Sequence, residues 1–262
     1  MPRPTVADIR ALKGERVLTM LYVDTSEEAA AAAAAGIDML SIVAPVWTPE
    51  MREAAGDCFV QVGLLYGELV TAEDYLRAAF AALKVGGDSF YCAGGLGIVK
   101  AMADEGLPVV GHVGLIPSKV TWTGGFRAVG KTAAQALQVW RDVQALERAG
   151  AFAAELEVVP DRVAAEISRR SPLVMLGMGA GSGADAQYLF AEDVLGYTRG
   201  HRPRHARTYR DFRAEYDRLQ SERIAAFGEF RAEVESGAYP GPGHVVGIAD
   251  GEYDAFLQGL DT

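Results

Sequence analysis

Glu157, His112, Tyr91 and Asp24 each stand at the C-terminal end of a short apolar run, in Ala-Ala-Glu-Leu-Glu, Val-Val-Gly-His, Ser-Phe-Tyr and Leu-Tyr-Val-Asp. A carboxylate at the end of an apolar strand loses hydration, which raises its pKa toward neutrality and suits it to general-base work. Glu157 is read as such a base, or else as a structural hydrogen-bond acceptor. An imidazole in the same setting donates to a developing oxyanion or serves structure alone, so His112 carries both readings. The phenol of Tyr91 can donate to a carbonyl oxygen without a full charge, or simply fill space. Asp24 is a second acid or the cap of the helix after it. Glu155 shares the face of Glu157 by strand parity, so a carboxylate pair forms if the strand stays regular.

Other chemistries find weaker support. Gly125-Phe-Arg-Ala-Val-Gly-Lys-Thr132 fits the phosphate-loop pattern G-x-x-x-x-G-K-[ST]. That chemistry needs a buried strand running straight into the loop. Here Pro117, Ser118 and Lys119 interrupt the approach, so the match is read as coincidental. None of the five lysines, Lys13, Lys84, Lys100, Lys119 and Lys131, falls at an expected strand end, which leaves Schiff-base catalysis without a candidate. Cys58 and Cys92 are far apart and offer neither a disulfide framework nor a zinc site.

The elements that must position these groups alternate along the chain. Strand-like runs are Val17–Val23, Met39–Val43, Phe59–Leu65, Ser89–Cys92, Pro108–Val113, Ala153–Val158 and Leu173–Met178, with a weaker eighth at Val194–Tyr197. Helix-like stretches fall between them, at Glu27–Ala35, Pro49–Ala55, Ala72–Val85, Ile98–Glu105, Ala133–Ala149 and Asp161–Arg170. Repeated strand–helix units predict an α/β fold with a parallel sheet, closed as a single (β/α)8 barrel of the TIM type; an open doubly wound sheet is the rival. Arg207–Glu235 predicts a long charged helix after the barrel, stopped by Ser-Gly-Ala-Tyr-Pro-Gly-Pro-Gly. The expected division is a barrel domain with its C-terminal helix over 1–244 and an extra tail over 245–262.

A formal charge of −10 and a pI near 5.0 argue against nucleic acid as a partner. The cationic stretch His201–Arg210 is a solvated or subunit-contacting segment, or else a phosphate site. Met-Pro-Arg-Pro-Thr at the N-terminus has no apolar signal core, and the greasy region 29–47 is broken by Gly36, Asp38 and Pro45. A cytoplasmic protein without a membrane partner, acting on a small-molecule substrate, is expected.

Several ordered pieces then carry a resemblance: "PVVGHVGLIPSKV" at 108–120, "GGFRAVGKT" at 124–132, "LEVVP" at 156–160, "GMGAGSGADAQ" at 177–187, "RGHRPRHAR" at 199–207 and "VESGAYPGPGH" at 234–244. In these the chain resembles the ketopantoate hydroxymethyltransferases of the phosphoenolpyruvate mutase and isocitrate lyase superfamily. The resemblance implies a barrel, a homo-oligomer, Glu157 as general base and His112 near the substrate. It also implies magnesium to chelate the 2-oxo acid, and hydroxymethyl transfer from methylenetetrahydrofolate to 3-methyl-2-oxobutanoate. The metal's ligands and neighbours would lie in motifs of the kind V-G-D-S, A-D-x-P and K-x-E-G-G.

The chain departs from that pattern where it matters. Ala44, Gly63 and Ala93 replace the three carboxylates, and Tyr91 replaces the lysine, while Gly94-Gly95 keeps the register. The segment between Ala44 and Gly63 is also shorter than the family pattern. No metal and no cofactor are therefore expected, and Ala44, Trp47, Gly63, Tyr66, Ala93 and Gly94 are expected to line a wider, more apolar pocket. Three functions follow. One is a diverged enzyme doing metal-independent acid–base chemistry beside a carbonyl (aldol, isomerisation, decarboxylation or cyclisation) in specialised biosynthesis. The others are the family's own transferase reaction and a catalytically silent ligand-binding or assembly paralogue.

Overall fold

The computed structural model describes residues 3–260. Met1 and Pro2 of the segment read as lacking a signal core, and Asp261 and Thr262 of the tail, lie outside the described residues. The chain divides into two compact units, one ending at Arg210 and one beginning at Asp211.

In the first unit eight parallel strands close into a barrel in sequence order. They are β1 (Leu18–Tyr22), β2 (Met39–Val43), β3 (Phe59–Gly63), β4 (Ser89–Tyr91), β5 (Val109–Gly114), β6 (Ala153–Glu157), β7 (Val174–Met178) and β8 (Ala186–Phe190). The (β/α)8 fold is thus the one expected. One expected strand is corrected: Val194–Tyr197 runs from the end of a short helix into its left-handed cap, and the eighth strand lies earlier, over Ala186–Phe190. That strand alternates in burial and carries the exposed Gln187. It lacks the continuous apolar run that marks strands buried on both faces.

The surrounding helices are α1 (Val6–Ala11), α2 (Ser26–Ala34), α3 (Pro49–Ala54), α4 (Ala72–Lys84), α5 (Leu96–Asp104), α6 (Val120–Thr123), α7 (Ala133–Arg148), α8 (Asp161–Arg170) and α9 (Ala191–Leu195). Threonine starts five of them: Thr5, Thr25, Thr48, Thr71 and Thr132 each accept a backbone N–H of the first turn. Each bond satisfies a donor that the helix itself cannot. The residue so used in the glycine-rich stretch is Thr132. β5 ends at Gly114, and a 3-10 turn (Pro117–Lys119) and α6 intervene before Gly125, so no strand feeds the phosphate-loop match.

Side chains alternate between two apolar clusters. Leu40, Ile42, Val60, Val62, Phe90 and Leu156 face outward against Ala29, Ala79, Val99, Val143 and Ala164 of the helices. Leu18, Met39, Phe59, Val110, Ala153 and Val174 fill the barrel's lower interior, where Ile9 of α1 joins them. Two residues further along the strands, on the same inward face, come Ser41, Gln61, His112, Glu155 and Tyr188, all buried. The interior is therefore greasy below and polar above, toward the strand C-termini.

The second unit holds α10 (Phe212–Ser236), capped by the Asp211 side chain and ended by the left-handed Gly237, and α11 (Asp250–Leu260). The expected boundary after residue 244 falls at the end of the turn Pro242–His244 between them.

Candidate active site

β5 and β6 pair so that His112 stands opposite Glu155 and Gly114 opposite Glu157. β6 stays regular to its end, so both glutamates project to the interior face and bracket one imidazole. Glu155 Oε2 lies 3.3 Å from His112 Nδ1, and Glu157 Oε2 lies 3.2 Å from Nε2. The Tyr91 hydroxyl is 2.8 Å from Nδ1, and the Leu115 carbonyl is 2.8 Å from Nε2. A carbonyl can only accept, so Nε2 carries the hydrogen and Nδ1 faces Tyr91 and Glu155. Gln61 completes the group by donating from Nε2 to Glu155 Oε1 at 2.7 Å and to Ser41 Oγ at 3.2 Å.

The two carboxyls have different surroundings. Burial pushes the Glu155 carboxyl up to about 7; Glu157 adds to this, while His112 and Gln61 oppose it. Burial also raises the Tyr91 phenol, with Glu155 next in effect. Tyr188, wholly buried beside Glu155 and bonded to Ser41, is raised for the same reason. Tyr91 and Tyr188 are therefore neutral hydrogen-bond donors over the working pH range. Glu157 is more open than Glu155, with 14 % of its side chain exposed against 7 %.

The backbone around Glu157 is held from both sides. Gly114 has φ +89°, and a Cβ there would fall 2.3 Å from the Glu157 carbonyl oxygen, which also accepts from Leu115 N at 2.9 Å. Val158, the next residue, has φ +49°. That region is costly for a β-branched side chain, by about 1–3 kcal/mol. Its N–H donates to Met178 at 2.8 Å and its carbonyl accepts from Val129 at 3.1 Å, and these bonds hold the conformation.

Tyr91, His112 and Glu157 thus come together, and Asp24 does not join their contacts. Asp24 is exposed, accepts from the Tyr22 hydroxyl at 2.7 Å, and leaves the capping of α2 to Thr25. Of the expected lining, Ala44 is half-buried in the turn after β2, and buried Gly63 pairs with Val43 and Tyr91. Buried Ala93 and half-buried Gly94 follow β4; a Cβ at Gly94 would crowd Ile98 and the Cys92 thiol. Tyr66 is exposed beyond β3. Trp47 turns to the helical layer, where its indole donates to the Ala82 carbonyl of α4 at 3.0 Å.

Several groups here escape sequence reasoning. Gln61 is a polar member of a strand that reads as apolar, and Tyr188 lies in the strand that the sequence reading placed elsewhere. His205 comes from the basic stretch after the barrel and packs on Gly179 at the end of β7, where a Cβ would meet its Nδ1 at 2.6 Å. Burial lowers its pKa although Glu157 and Asp193 oppose this. Lys119 reaches back from the loop after β5 and donates to the Ala93 carbonyl at 2.7 Å. The basic stretch 201–210 was the sequence's signal for His205; Lys119 gave none.

Comparison with known proteins identifies the family. The family model described as ketopantoate hydroxymethyltransferase matches residues 48–242. The 3-methyl-2-oxobutanoate hydroxymethyltransferase of Thermus thermophilus is 33 % identical, over 92 % of this chain and 99 % of that protein. The enzyme of that name from Nitratidesulfovibrio vulgaris is 38 % identical over 62 % of this chain, a match spanning about half, 51 %, of its own length. Among solved structures, a putative phosphonomutase from Burkholderia cenocepacia superposes with TM-score 0.52 at 14 % identity, covering 87 % of this chain and 100 % of that one. At that identity the likeness concerns the fold alone. No helix of the described residues is long and apolar enough to cross a membrane. By the family model and by its relatives, the chain belongs to the ketopantoate hydroxymethyltransferase family.

Proposed function

We propose that this chain is a transferase that deprotonates the carbon beside a carbonyl with Glu157 and joins the enolate to a one-carbon unit. This is the hydroxymethyl transfer to 3-methyl-2-oxobutanoate for which its relatives are named. The observation that carries the reading is His112 bonded between Glu157 and Tyr91 at the open end of the barrel, the end at which barrel enzymes work. In the proposed step the C3 proton passes to the Glu157 carboxylate and the electron pair moves onto the keto oxygen. The Tyr91 hydroxyl turns its one proton from His112 Nδ1 to that oxygen, the protonated Glu155 carboxyl 3.3 Å from Nδ1 takes over that bond, and His112 Nε2 keeps its contact with Glu157. Water releases the one-carbon unit as formaldehyde from methylenetetrahydrofolate, the donor that the resemblance implies, leaving tetrahydrofolate. The enolate carbon bonds to the formaldehyde carbon, and the resulting alkoxide takes the proton held on Glu157.

The magnesium that the resemblance implies does not fit these residues. Ala44, Gly63 and Ala93 bring no donor atoms on their side chains. Among the described residues no group of three or more His, Cys, Asp or Glu side chains is arranged to hold a metal ion. A hard cation needs several oxygens. No proposed step therefore runs through a metal.

A second reading keeps the same proton transfer but uses it on a larger, more apolar carbonyl compound. It is favoured by the methyl or absent side chains of Ala44, Gly63 and Ala93 in place of charged ones.

The test is proton NMR of 3-methyl-2-oxobutanoate in heavy water with the enzyme. Loss of the C3 proton signal is expected, about 10²- to 10⁴-fold slower in Glu157→Gln. Exchange at the wild-type rate in Glu157→Gln would remove Glu157 as the base. No exchange by the wild type, together with exchange on longer-chain 2-oxo acids, would move the conclusion to the second reading.

A further inference from the structure

We infer that the Lys119 ammonium is the cationic group of this mouth, binding the oxygens of a 2-oxo acid where the rest of the family is expected to use a divalent ion. The inference rests on the reading of the barrel mouth as the substrate site.

Three observations converge on it. The 3-10 turn Pro117–Lys119, closed by the bond from Lys119 N–H to the Ile116 carbonyl at 2.9 Å, projects the side chain back over the strand ends. Its ammonium meets the Ala93 carbonyl at 2.7 Å and lies 5.1 Å from the centre of the Tyr66 ring. Ala93 follows β4, Tyr66 follows β3, and Gly63 pairs in register with Tyr91. The charge thus sits on Ala93, one of the three positions from which carboxylates have gone.

The partners of this ammonium are also informative. Among the described residues they are a neutral carbonyl and an aromatic face, and no carboxylate pairs with it. A half-buried lysine held by neutral groups has two further N–H donors to offer an anion. The chemistry asks for such a charge. Proton loss beside a ketone puts negative charge on oxygen, and a fixed cation in a poorly hydrated mouth stabilises it. The same exchange explains the loss at 93: an Asp or Glu there would serve a divalent ion, but beside Lys119 it would neutralise the charge the substrate needs. An ammonium cannot chelate as a metal does, so the Tyr91 hydroxyl is left to meet the second oxygen.

The experiment is calorimetric titration of oxalate, a stable mimic of the enolate's two adjacent oxygens, in EDTA. Wild type, Lys119→Met, Lys119→Arg and Glu157→Gln are compared, each checked for its melting temperature. Wild type is expected to bind in EDTA, with no more than a twofold gain when magnesium replaces the chelator. Lys119→Met is expected to bind at least tenfold more weakly, Lys119→Arg to retain most of the affinity, and Glu157→Gln to bind as well as wild type. Equal affinity in Lys119→Met and wild type would overturn the inference, as would oxalate binding that requires magnesium or fails altogether. If Lys119→Met does not fold, Lys119→Arg decides through the magnesium comparison alone. Borohydride reduction with 3-methyl-2-oxobutanoate should leave the protein mass unchanged; an adduct on Lys119 would replace the electrostatic role with a covalent one. Should Glu157→Gln retain full proton exchange while Lys119→Met loses oxalate, the base assignment fails and Lys119 stands.

Discussion

When Nε2 of His112 donates to the Leu115 carbonyl, Nδ1 becomes the acceptor between the Tyr91 hydroxyl and Glu155. Burial disfavours the charged form of Glu155 and the nearby Glu157 adds to this, outweighing His112 and Gln61, so the carboxyl holds a proton up to about pH 7. The consequence for stability has a definite sign. The unfolded chain releases this proton near the ordinary value of 4.5, whereas the folded chain keeps it to about 7. Between those values the native state binds more protons, so stability falls as pH rises and levels off above about 7, a loss of about 3 kcal/mol. Glu155→Gln, which cannot ionise, should match wild type at pH 4 and be the more stable protein at pH 8. Denaturant unfolding at the two pH values measures this, and parallel behaviour of both proteins would show that Glu155 is ionised in the fold. Tyr91→Phe tests the other neighbour of Nδ1. A donor aimed at developing charge matters in the transition state more than in binding, so kcat should fall about 10²-fold with KM nearly unmoved. A rise in KM alone would make Tyr91 a wall of the pocket.

At the scale of elements, one device recurs on the face opposite the mouth. Asp38, Asp88 and Asp185 each stand just before an even-numbered strand and accept the N–H of the preceding odd one, from Thr19 at 2.8 Å, Val60 at 2.8 Å and Met175 at 2.7 Å. Each also meets a cation: Arg16 for Asp38, Arg3 and Arg52 for Asp88, and Lys13 at 2.5 Å for Asp185. The carboxylates pin strand starts in register and leave the other end free to vary. Asp185→Ala would strand Lys13, the Ser168 hydroxyl and the Met175 N–H together. It should cost about 3 kcal/mol in denaturant unfolding while leaving kcat within about twofold, because this face carries stability and the other carries chemistry. A large fall in kcat without a loss of stability would contradict that division. Such elements were largely legible in the sequence, because strands buried on both faces are continuous apolar runs. β8 was the exception, since Gln187 breaks the pattern and only closure of the barrel makes Ala186–Phe190 a strand. The candidate site was legible where a side chain stands at or near a strand end, as Tyr91, His112 and Glu157 do. It was illegible where a loop folds back: Lys119 is 26 residues from Ala93, and no local spacing announces their contact.

The whole molecule separates what folds from what the second unit adds. Both apolar clusters draw only on residues up to Leu195, and the barrel closes through the pairing of β1 with β8. α10 buries none of its 25 residues, yet carries Leu219, Ile224, Phe227, Phe230 and Val234 on one side of the helix. Apolar side chains exposed over that length form a surface that association of copies would bury. The homo-oligomer that the family resemblance implies would draw on this surface. A chain ending at Arg210 should therefore keep a cooperative melt within about 4 °C of the full chain's, once both are measured at a dilution where neither associates. Light scattering at higher concentration should find the full chain larger than one copy and the shortened chain monomeric. A shortened chain that unfolds would mean that the barrel needs the second unit after all, and a shortened chain that still assembles would move the interface onto the barrel itself.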